Sequence, residues 1–144
     1  MKLPFIPEAE YEIHTRLSPA AVCDILRENT GPEGAVLNRK PFTGRVGERA
    51  FCIDEWSPHL RIPFKPTIWG TVCESGDGSI VRIKLDLGPL AVVLYVILLT
   101  AAVAGVFTNF ALAFPLPLYL VLMNAGFAIG AESSRARLEK LIKK

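Results

Sequence analysis

Charge is missing from one long part of this sequence. Between Asp86 and Glu132 lie 45 consecutive residues without Asp, Glu, Lys, Arg or His. Such a run exceeds the core helix or buried strand of an ordinary globular domain. As helix it would measure about 67 Å, whereas the hydrocarbon core of a bilayer is about 30 Å thick. The run therefore predicts two membrane passes and argues against a single one.

A soluble alternative is a hydrophobic hairpin buried in a helical core. The other 99 residues would then have to cover the apolar run and also build a core of their own. A chain of this length has room for about one domain, so we prefer the membrane interpretation. The N-terminal sequence MKLPFIPEAEYEI has no apolar stretch long enough for a secretory signal, and no cleaved segment is expected.

Cysteine and histidine are also scarce. Cys23, Cys52 and Cys73 form no C-x-x-C pair, and His14 and His59 lie 45 residues apart. Neither spacing is typical of a metal site. In a cytoplasmic domain we expect these thiols to be reduced and to fill apolar space. No metal and no cofactor is expected.

Catalytic motifs are missing too: the sequence has no P-loop, no G-x-S-x-G and no H-E-x-x-H. The best polar group is His59 with Asp54 or Glu55, which would serve acid–base chemistry only if the side chains lined one cleft. Because surface hydration explains them as well, we expect a protein that is not an enzyme. Residues 1–87 carry 11 Lys/Arg and 12 Asp/Glu, which argues against nucleic acid as the partner.

The apolar run itself predicts a transmembrane hairpin over residues 88–131. The first pass is Leu87–Phe107, and the second must end before Glu132. Counting back about 20 residues from there makes Pro115 and Pro117 the opening of the second pass. The turn then falls at about 108–115.

Basic residues flank this hairpin on both sides. Arg82 and Lys84 precede it, and the connecting turn has none. The tail 132–144 carries five: Arg135, Arg137, Lys140, Lys143 and Lys144. Because positive charge is held on the cytoplasmic side, both termini are predicted to be cytoplasmic, with the bacterial inner membrane as the location.

Small residues recur at four-residue spacing in the two passes. They are Ala101 with Gly105, and Gly126 with Gly130. Such positions let membrane helices pack closely, either within the hairpin or against another subunit or a second copy. Asn124 falls near the middle of the second pass, where we expect a local hydrogen bond between the helices.

The tail 132–144 predicts a basic C-terminal helix. Leu138, Leu141 and Ile142 share one side of it, and basic groups occupy the other. We expect its basic residues, Arg135, Arg137, Lys140, Lys143 and Lys144, to contact lipid headgroups. The alternative is that the helix docks on the preceding domain or on a partner.

Residues 1–87 predict a cytoplasmic α+β domain. Ala9–Leu17 is typical of a strand, and SPAAVCDILREN predicts a helix capped by Ser18. Two hairpins follow, FTGRV with AFCIDEW and TIWGTVCES with SIVRIKLDL. The fold is therefore a small antiparallel sheet with one packed helix. Trp56 and Trp69 would sit at the headgroup level or in the core.

The segments KPFTGRV, AFCI, RIPFKPTIWGTV and GDGSIVRIKLDL, with the apolar hairpin after them, resemble a group of small uncharacterised bacterial membrane proteins. The resemblance covers Pro41–Leu87 and the layout of the hairpin. It implies a cytoplasmic α+β domain on a C-terminal hairpin, and no activity. Ile62 and Pro63 stand where that group has an asparagine–serine pair, so no role is implied for the loop Pro58–Pro66.

These patterns favour an accessory or scaffold subunit of a larger membrane assembly. The expected partners are membrane lipid, other membrane-protein subunits or a second copy. The alternative is a membrane-tethered domain that binds a small ligand or a lipid headgroup. It would need an apolar pocket between the Ala20–Arg27 helix and the concave face of the sheet.

The predicted topology can be tested with introduced cysteines. A cysteine at Asn109 should react with an impermeant thiol reagent added outside intact cells, because the turn lies on the far side of the membrane. A cysteine at Lys144 should not react until the cells are opened. Labelling of Lys144 in intact cells would contradict the orientation.

Overall fold

The computed structural model of the chain describes residues 6–33, 39–56, 64–108, 111 and 114–143. Within them the α+β class is confirmed, with six strands and three helices. In chain order they are β1 (Ala9–Thr15), α1 (Pro19–Glu28), β2 (Thr30–Gly31), β3 (Phe42–Val46), β4 (Ala50–Glu55), β5 (Pro66–Ser75), β6 (Gly78–Leu87), α2 (Pro89–Thr108) and α3 (Pro115–Ile142).

All six strands form a single sheet in the order β1-β6-β5-β4-β3-β2. The β3–β4 and β5–β6 hairpins are paired as predicted, and β1 pairs with β6. The sheet is mixed rather than antiparallel, because β2 runs parallel to β3. The sequence does not predict β2, since two residues are too few to show a periodic pattern.

Helix α1 begins and ends as predicted. The Ser18 hydroxyl accepts a hydrogen bond from the Ala21 amide, and Pro19 takes the first helical position. Strand β2 directly follows the C-terminal cap Asn29, the last residue of the predicted segment. Its side-chain amide donates to the Ile25 carbonyl at 2.8 Å, satisfying a carbonyl of the last turn.

The sheet has two unlike faces because side chains alternate along each strand. We call inner face the one on which α1 and the second half of α3 pack. It is apolar and includes the buried side chains Ile13, Phe42, Phe51, Ile53, Ile68, Val72, Val81, Ile83 and Leu85. We call outer face the opposite one, which no described helix covers. Its residues on β5 and β6 include Trp69, Thr71, Arg82 and Lys84, all exposed.

Helix α3 is one uninterrupted helix of 28 residues. Residues 132–142 are helical, as predicted for the tail, and they continue the apolar part of the helix without a break. Leu138 and Ile142 are fully buried in the core of the sheet domain. Thr15 at the end of β1 donates its hydroxyl hydrogen to the Ile142 carbonyl at 3.0 Å. The alternative role of the tail, docking on the preceding domain, is what the structure shows.

The first half of α3 leaves the sheet and is largely exposed. Leu118, Val121, Leu122 and Ile129 all have more than half of their surface accessible. By length and composition α3 is the one described helix able to cross a membrane. Only 22% of its apolar 18-residue segment is buried. The apolar stretch of α2, Pro89–Gly105, is shorter than the 18 residues that a span requires. Of the two predicted spans, only α3 therefore has the length and composition of a membrane span within the described residues.

Three contacts join the apolar helices to each other and to the sheet. The Tyr119 hydroxyl of α3 donates to the Ala91 carbonyl of α2 at 2.8 Å. The Tyr119 ring also packs edge-on against Phe64, with 5.2 Å between ring centroids. Gly130 lies so close to Pro66 of β5 that an added Cβ would be 2.6 Å from the proline Cδ. The helices are therefore held against the start of β5.

The contact at Gly130 gives a stability prediction. Gly130→Ala should lower the free energy of unfolding by about 1–3 kcal/mol, because the added methyl group overpacks the contact with Pro66. The measurement is denaturant unfolding of the full chain in detergent. Gly126→Ala, one turn earlier on α3, is the control for the change in helix propensity. Equal effects of the two substitutions would contradict the packing role.

Candidate functional site

The outer face carries one continuous row of side chains across five strands. The register places Glu10, Lys84, Trp69, Cys52 and Arg45 side by side, from β1 to β3. Trp69 lies at the centre of this row, between a basic and a small neighbour. The row therefore combines a large aromatic ring with charged groups at its two ends.

Trp69 is the least expected residue on this face. Its side chain is 49% exposed although it stands on a central strand. The indole N–H donates to Asp86 Oδ1 at 3.2 Å, which fixes the direction of the ring. Partial burial raises the pKa of the Asp86 carboxyl, and the hydrogen bond from Trp69 opposes that rise. An ordered, half-exposed tryptophan is typical of a binding surface.

Ion pairs surround this central region. Arg82 contacts Glu12 at 2.9 Å, and Lys84 lies 3.8 Å from Glu8. Their side chains are largely exposed, so each pair contributes about 0–1 kcal/mol. These charges therefore keep the rim solvated and orient a binding partner more than they stabilise the fold.

A groove with a volume of about 640 Å³ lies on the outer face. Its floor is made of small side chains, among them Ala50, Cys52 and Thr71, with Trp69 along one side. Partial burial raises the pKa of the Cys52 thiol, and the carboxyl of Asp54 adds to the effect. The thiol is thus mostly protonated at neutral pH and serves as apolar lining rather than as a nucleophile.

A second cavity of about 450 Å³ lies beside α1. The expected pocket between the Ala20–Arg27 helix and the sheet would have been apolar. Instead Val22 and Leu26 fill that space completely, and the cavity lies at the end of the sheet, near the strand turns. Charged side chains line it, among them Asp24, Arg27 and Glu48. It is therefore not the predicted pocket between the helix and the sheet.

A buried acidic group lies where α3 meets the sheet. Glu55 of β4 is 9% exposed and points to the inner face. Its carboxylate accepts a hydrogen bond from the Ser134 hydroxyl at 2.9 Å and forms an ion pair with Arg137 at 2.9 Å. Lys65 donates to the Glu55 carbonyl, and desolvation lowers the pKa of that ammonium. We call Glu55, Ser134, Arg137 and Lys65 the junction cluster.

Tyr11 is another polar residue of the inner face near α3. Arg135 lies over its ring, 5.3 Å from the centroid. The hydroxyl is buried and has no hydrogen-bond partner within the described part of the chain. Burial raises the pKa of Tyr11 well above its ordinary value, so the phenol stays neutral. Tyr11 acts here as an aromatic support for α3.

The carboxylates predicted as catalytic alternatives do not share a cleft. Asp54 and Glu55 are neighbours on β4 and therefore point to opposite faces of the sheet. Asp54 is exposed on the outer face, and Glu55 is committed to the junction cluster. His59 lies outside the described residues, as does most of the Pro58–Pro66 loop.

The residues predicted to pack membrane helices have different surroundings. Gly105 is buried, and Ala101 and Gly126 are half-buried. Gly130 contacts Pro66 of the sheet, and its packing against another membrane helix stays a prediction. The Asn124 side chain is exposed, and its amide donates to the Leu120 carbonyl at 2.8 Å. The expected hydrogen bond between helices is therefore a bond within α3.

The residues predicted to contact lipid headgroups lie along the docked half of α3. Arg135 and Arg137 are engaged with Glu139 and Glu55, and Lys143 is 3.6 Å from Glu139. At about 1.5 Å per residue, Lys140 and Lys143 lie roughly 12 and 16 Å beyond Glu132 along the helix axis. Headgroup contact by both would need a tail lying flat on the membrane, whereas Leu138 and Ile142 hold it on the sheet. Lys144 lies outside the described residues.

Sequence reasoning missed both the outer-face row and the junction cluster. The alternation of Thr67, Trp69 and Thr71 with Ile68 and Val72 was the available signal that Trp69 points away from the core. No local signal exists for Glu55, because its partners lie 78 to 82 residues later in the chain.

Neither metal chemistry nor a known relative points to a function. Within the described ranges, no three His, Cys, Asp or Glu side chains are grouped closely enough to bind a metal ion. No protein-family model, curated protein or solved structure matches this chain. The function is therefore inferred from the outer face, the junction cluster and the apolar helices.

The junction cluster predicts a stability effect of Glu55. Glu55→Ala should lower the free energy of unfolding by about 1–3 kcal/mol, because Ser134 would lose its acceptor and Arg137 its counter-charge. Asp54→Ala, one residue earlier and exposed on the outer face, is the matched control and should stay within about 0.5 kcal/mol of wild type. Denaturant unfolding of the full chain in detergent measures both. A Glu55→Ala protein as stable as the control would contradict the role of the cluster.

Proposed function

We propose that this chain is an integral membrane protein that is not an enzyme and acts as an accessory or scaffold subunit of a larger assembly. The observation that carries the proposal is the division of α3. Its first half exposes large apolar side chains, such as Val121 and Ile129, whereas its second half is part of the core of the sheet domain. A helix of this kind ties a water-soluble domain rigidly to an apolar surrounding.

Helix α2 is proposed as the second membrane-spanning helix. It has 20 residues, which make about 30 Å of helix and match the hydrocarbon core. Leu90, Ile97 and Phe107 expose more than half of their surface. In water such a surface would be a large unfavourable patch. Because Tyr119 bonds α3 to α2, the two helices are expected to enter the bilayer together.

The charge distribution supports the proposed orientation. Lys84 and Arg82 precede α2, and the basic residues of α3 follow its apolar half. Because positive charge next to a span is kept on the cytoplasmic side, the sheet domain and both termini lie in the cytoplasm of a bacterial cell. The outer face then looks onto the aqueous side, free to receive a partner.

The outer face is the proposed docking surface of the scaffold. Trp69 supplies a central aromatic anchor, and the pairs Arg82–Glu12 and Lys84–Glu8 supply a charged rim. Protein interfaces combine these two features, with most of the binding energy at the central aromatic residues. The partner expected here is another subunit of the membrane assembly.

A second candidate function is the binding of a small ligand on the same face. The groove volume of about 640 Å³ falls within the range of about 300–1,000 Å³ typical of small-molecule sites. The groove is open along the sheet, so a flat apolar group stacked on Trp69 is the expected ligand chemistry. We rank this second because an open groove covers less of a ligand than a closed pocket does.

Site-specific photo-crosslinking in native membranes tests the docking surface. A photoreactive amino acid at Thr71 of the outer face should give one dominant protein adduct. The matched position is Asp24 of α1, which is equally exposed on the opposite side of the domain and should give none. Trp69→Ser in the Thr71 protein should reduce the adduct about 10-fold or more, the effect of losing an interface anchor.

Other outcomes separate the two candidates. Equal adducts at Thr71 and Asp24 would contradict a docking surface on the outer face. If Thr71 gives no protein adduct while a cell extract of small molecules slows alkylation of Cys52, the small-ligand function replaces the scaffold function. Slower alkylation should then be lost in Trp69→Ser.

A further inference from the structure

Asn124 is a polar side chain on an otherwise apolar exposed surface. It lies in the first half of α3, inside the uncharged run of 45 residues. One N–H of its carboxamide donates to the Leu120 carbonyl at 2.8 Å. Within the described part of the chain no donor reaches its side-chain oxygen. One N–H and the carbonyl oxygen of Asn124 are thus left to face the surroundings of the helix.

In hydrocarbon these two groups need a partner. Water is not available to them at that depth, and an amide without hydrogen bonds costs several kcal/mol in an apolar medium. Polar side chains of this kind stabilise association between membrane helices. The inference that follows rests on the proposed placement of α3 in the membrane.

The surface around Asn124 is suited to close approach of another helix. Three exposed residues lie on the same side of α3 as Asn124. They are Val121, Ala125 and Ala128, at three, one and four residues from it. The two alanines leave room for a second backbone, and a short asparagine side chain reaches a partner only when the backbones are close.

We propose that the surface of Asn124, Val121, Ala125 and Ala128 binds the same surface of a second copy of this chain. A carboxamide is both donor and acceptor, so two asparagines pair with each other: each oxygen accepts from the free N–H of the other. Two copies inserted with the same orientation carry Asn124 at the same depth. A two-fold axis along the membrane normal therefore brings the two side chains together.

Thr100 of α2 shows why Asn124 in particular fits a second copy. Thr100 is also polar and exposed within the apolar run, but its hydroxyl donates its single hydrogen to the Val96 carbonyl at 2.8 Å. It has no donor left for a symmetric partner. Thr100 is therefore a matched control, with the same location in an apolar helix and no capacity for self-pairing.

The test measures dimerisation of the purified full chain in liposomes, by energy transfer between labelled copies at several protein-to-lipid ratios. Wild type should form dimers. Asn124→Leu should raise the dimer dissociation constant about 3- to 30-fold, the range measured for single polar contacts between membrane helices. Thr100→Val should match wild type. Asn124→Gln, which keeps the carboxamide, should recover part of the affinity.

Cysteine cross-linking locates the interface independently. A cysteine at Ala128 should form a disulfide between copies, whereas a cysteine at Leu94, exposed on α2, should not. Wild-type protein that is monomeric at every ratio, or a dimer unaffected by Asn124→Leu, would overturn the proposal. Photo-crosslinking from Ala128 to a different protein in native membranes, with monomers in liposomes, would also overturn it.

Failure of the dimer is distinguishable from failure of membrane insertion. Extraction of cell membranes with alkaline carbonate should leave the wild-type chain and Asn124→Leu in the membrane fraction. Release of the wild-type chain would contradict the proposed function itself. Retention of the chain together with a monomer in liposomes would overturn only the pairing through Asn124.

Discussion

The rest of the structure depends on the continuity of α3. A helix has one axis, so whatever fixes its second half also fixes the direction of the first. Leu138 and Ile142 bury the second half against the sheet and α1, and the junction cluster opposes rotation about the helix axis. The exposed apolar half is therefore not a loosely attached anchor. It is the extension of a core element, and the sheet domain cannot reorient without unpacking its own core.

The second connection between the two parts is equally short. Strand β6 ends at Leu87 and α2 begins at Pro89, which leaves only Gly88 between sheet and helix. Tyr119 then joins α2 to α3 close to Phe64. With two rigid connections, a force applied to the apolar helices is carried to the sheet. Glu55 has a structural part in this arrangement, which explains a buried carboxylate without invoking catalysis.

The buried negative charge of Glu55 is compensated by its partners in the junction cluster. Glu55 has both a hydroxyl donor and a guanidinium partner, so its burial leaves little unsatisfied. Arg137 is half exposed, which places the cluster at the edge of the core, where water still reaches one side. A second arginine, Arg135, stands two residues earlier on α3 and lies over the Tyr11 ring, so both basic residues hold α3 on the sheet. Their first role is therefore within the protein rather than at the lipid surface.

Features encoded by local patterns were predictable from sequence. The alternation in Gly78–Leu87 predicted β6, and the uncharged run predicted exposed apolar helices. The start of charge at Glu132 was taken as the end of the second pass. Charge marks a change of solvent and does not interrupt backbone hydrogen bonds, so α3 continues to Ile142. Strand β2 was missed because two residues carry no period. The contact of Gly130 with Pro66 was not predicted, because the two residues are distant in sequence.

Prediction of the outer-face row would have required the order of the strands in the sheet. Trp69 meets Cys52 and Lys84 only because β5 lies between β4 and β6, and Glu10 joins the row only because β1 pairs with β6. A non-local pairing of this kind has no signature within a single segment. The same holds for Glu55, whose partners belong to α3. What the sequence could supply was the alternation of each strand, and hence the residues available to each face.

The central claim is that one helix passes from lipid into the core of the sheet domain. Spin labels placed singly at Leu118, Leu122, Ile129, Glu132, Ala136 and Lys140, in the full chain in liposomes, measure it through their accessibility to oxygen and to a water-soluble nickel chelate. High oxygen accessibility is expected at the first three positions, with a change to chelate accessibility at Glu132 and beyond. Oxygen accessibility that persists at Ala136 and Lys140 would show a tail lying on the membrane and would contradict the account.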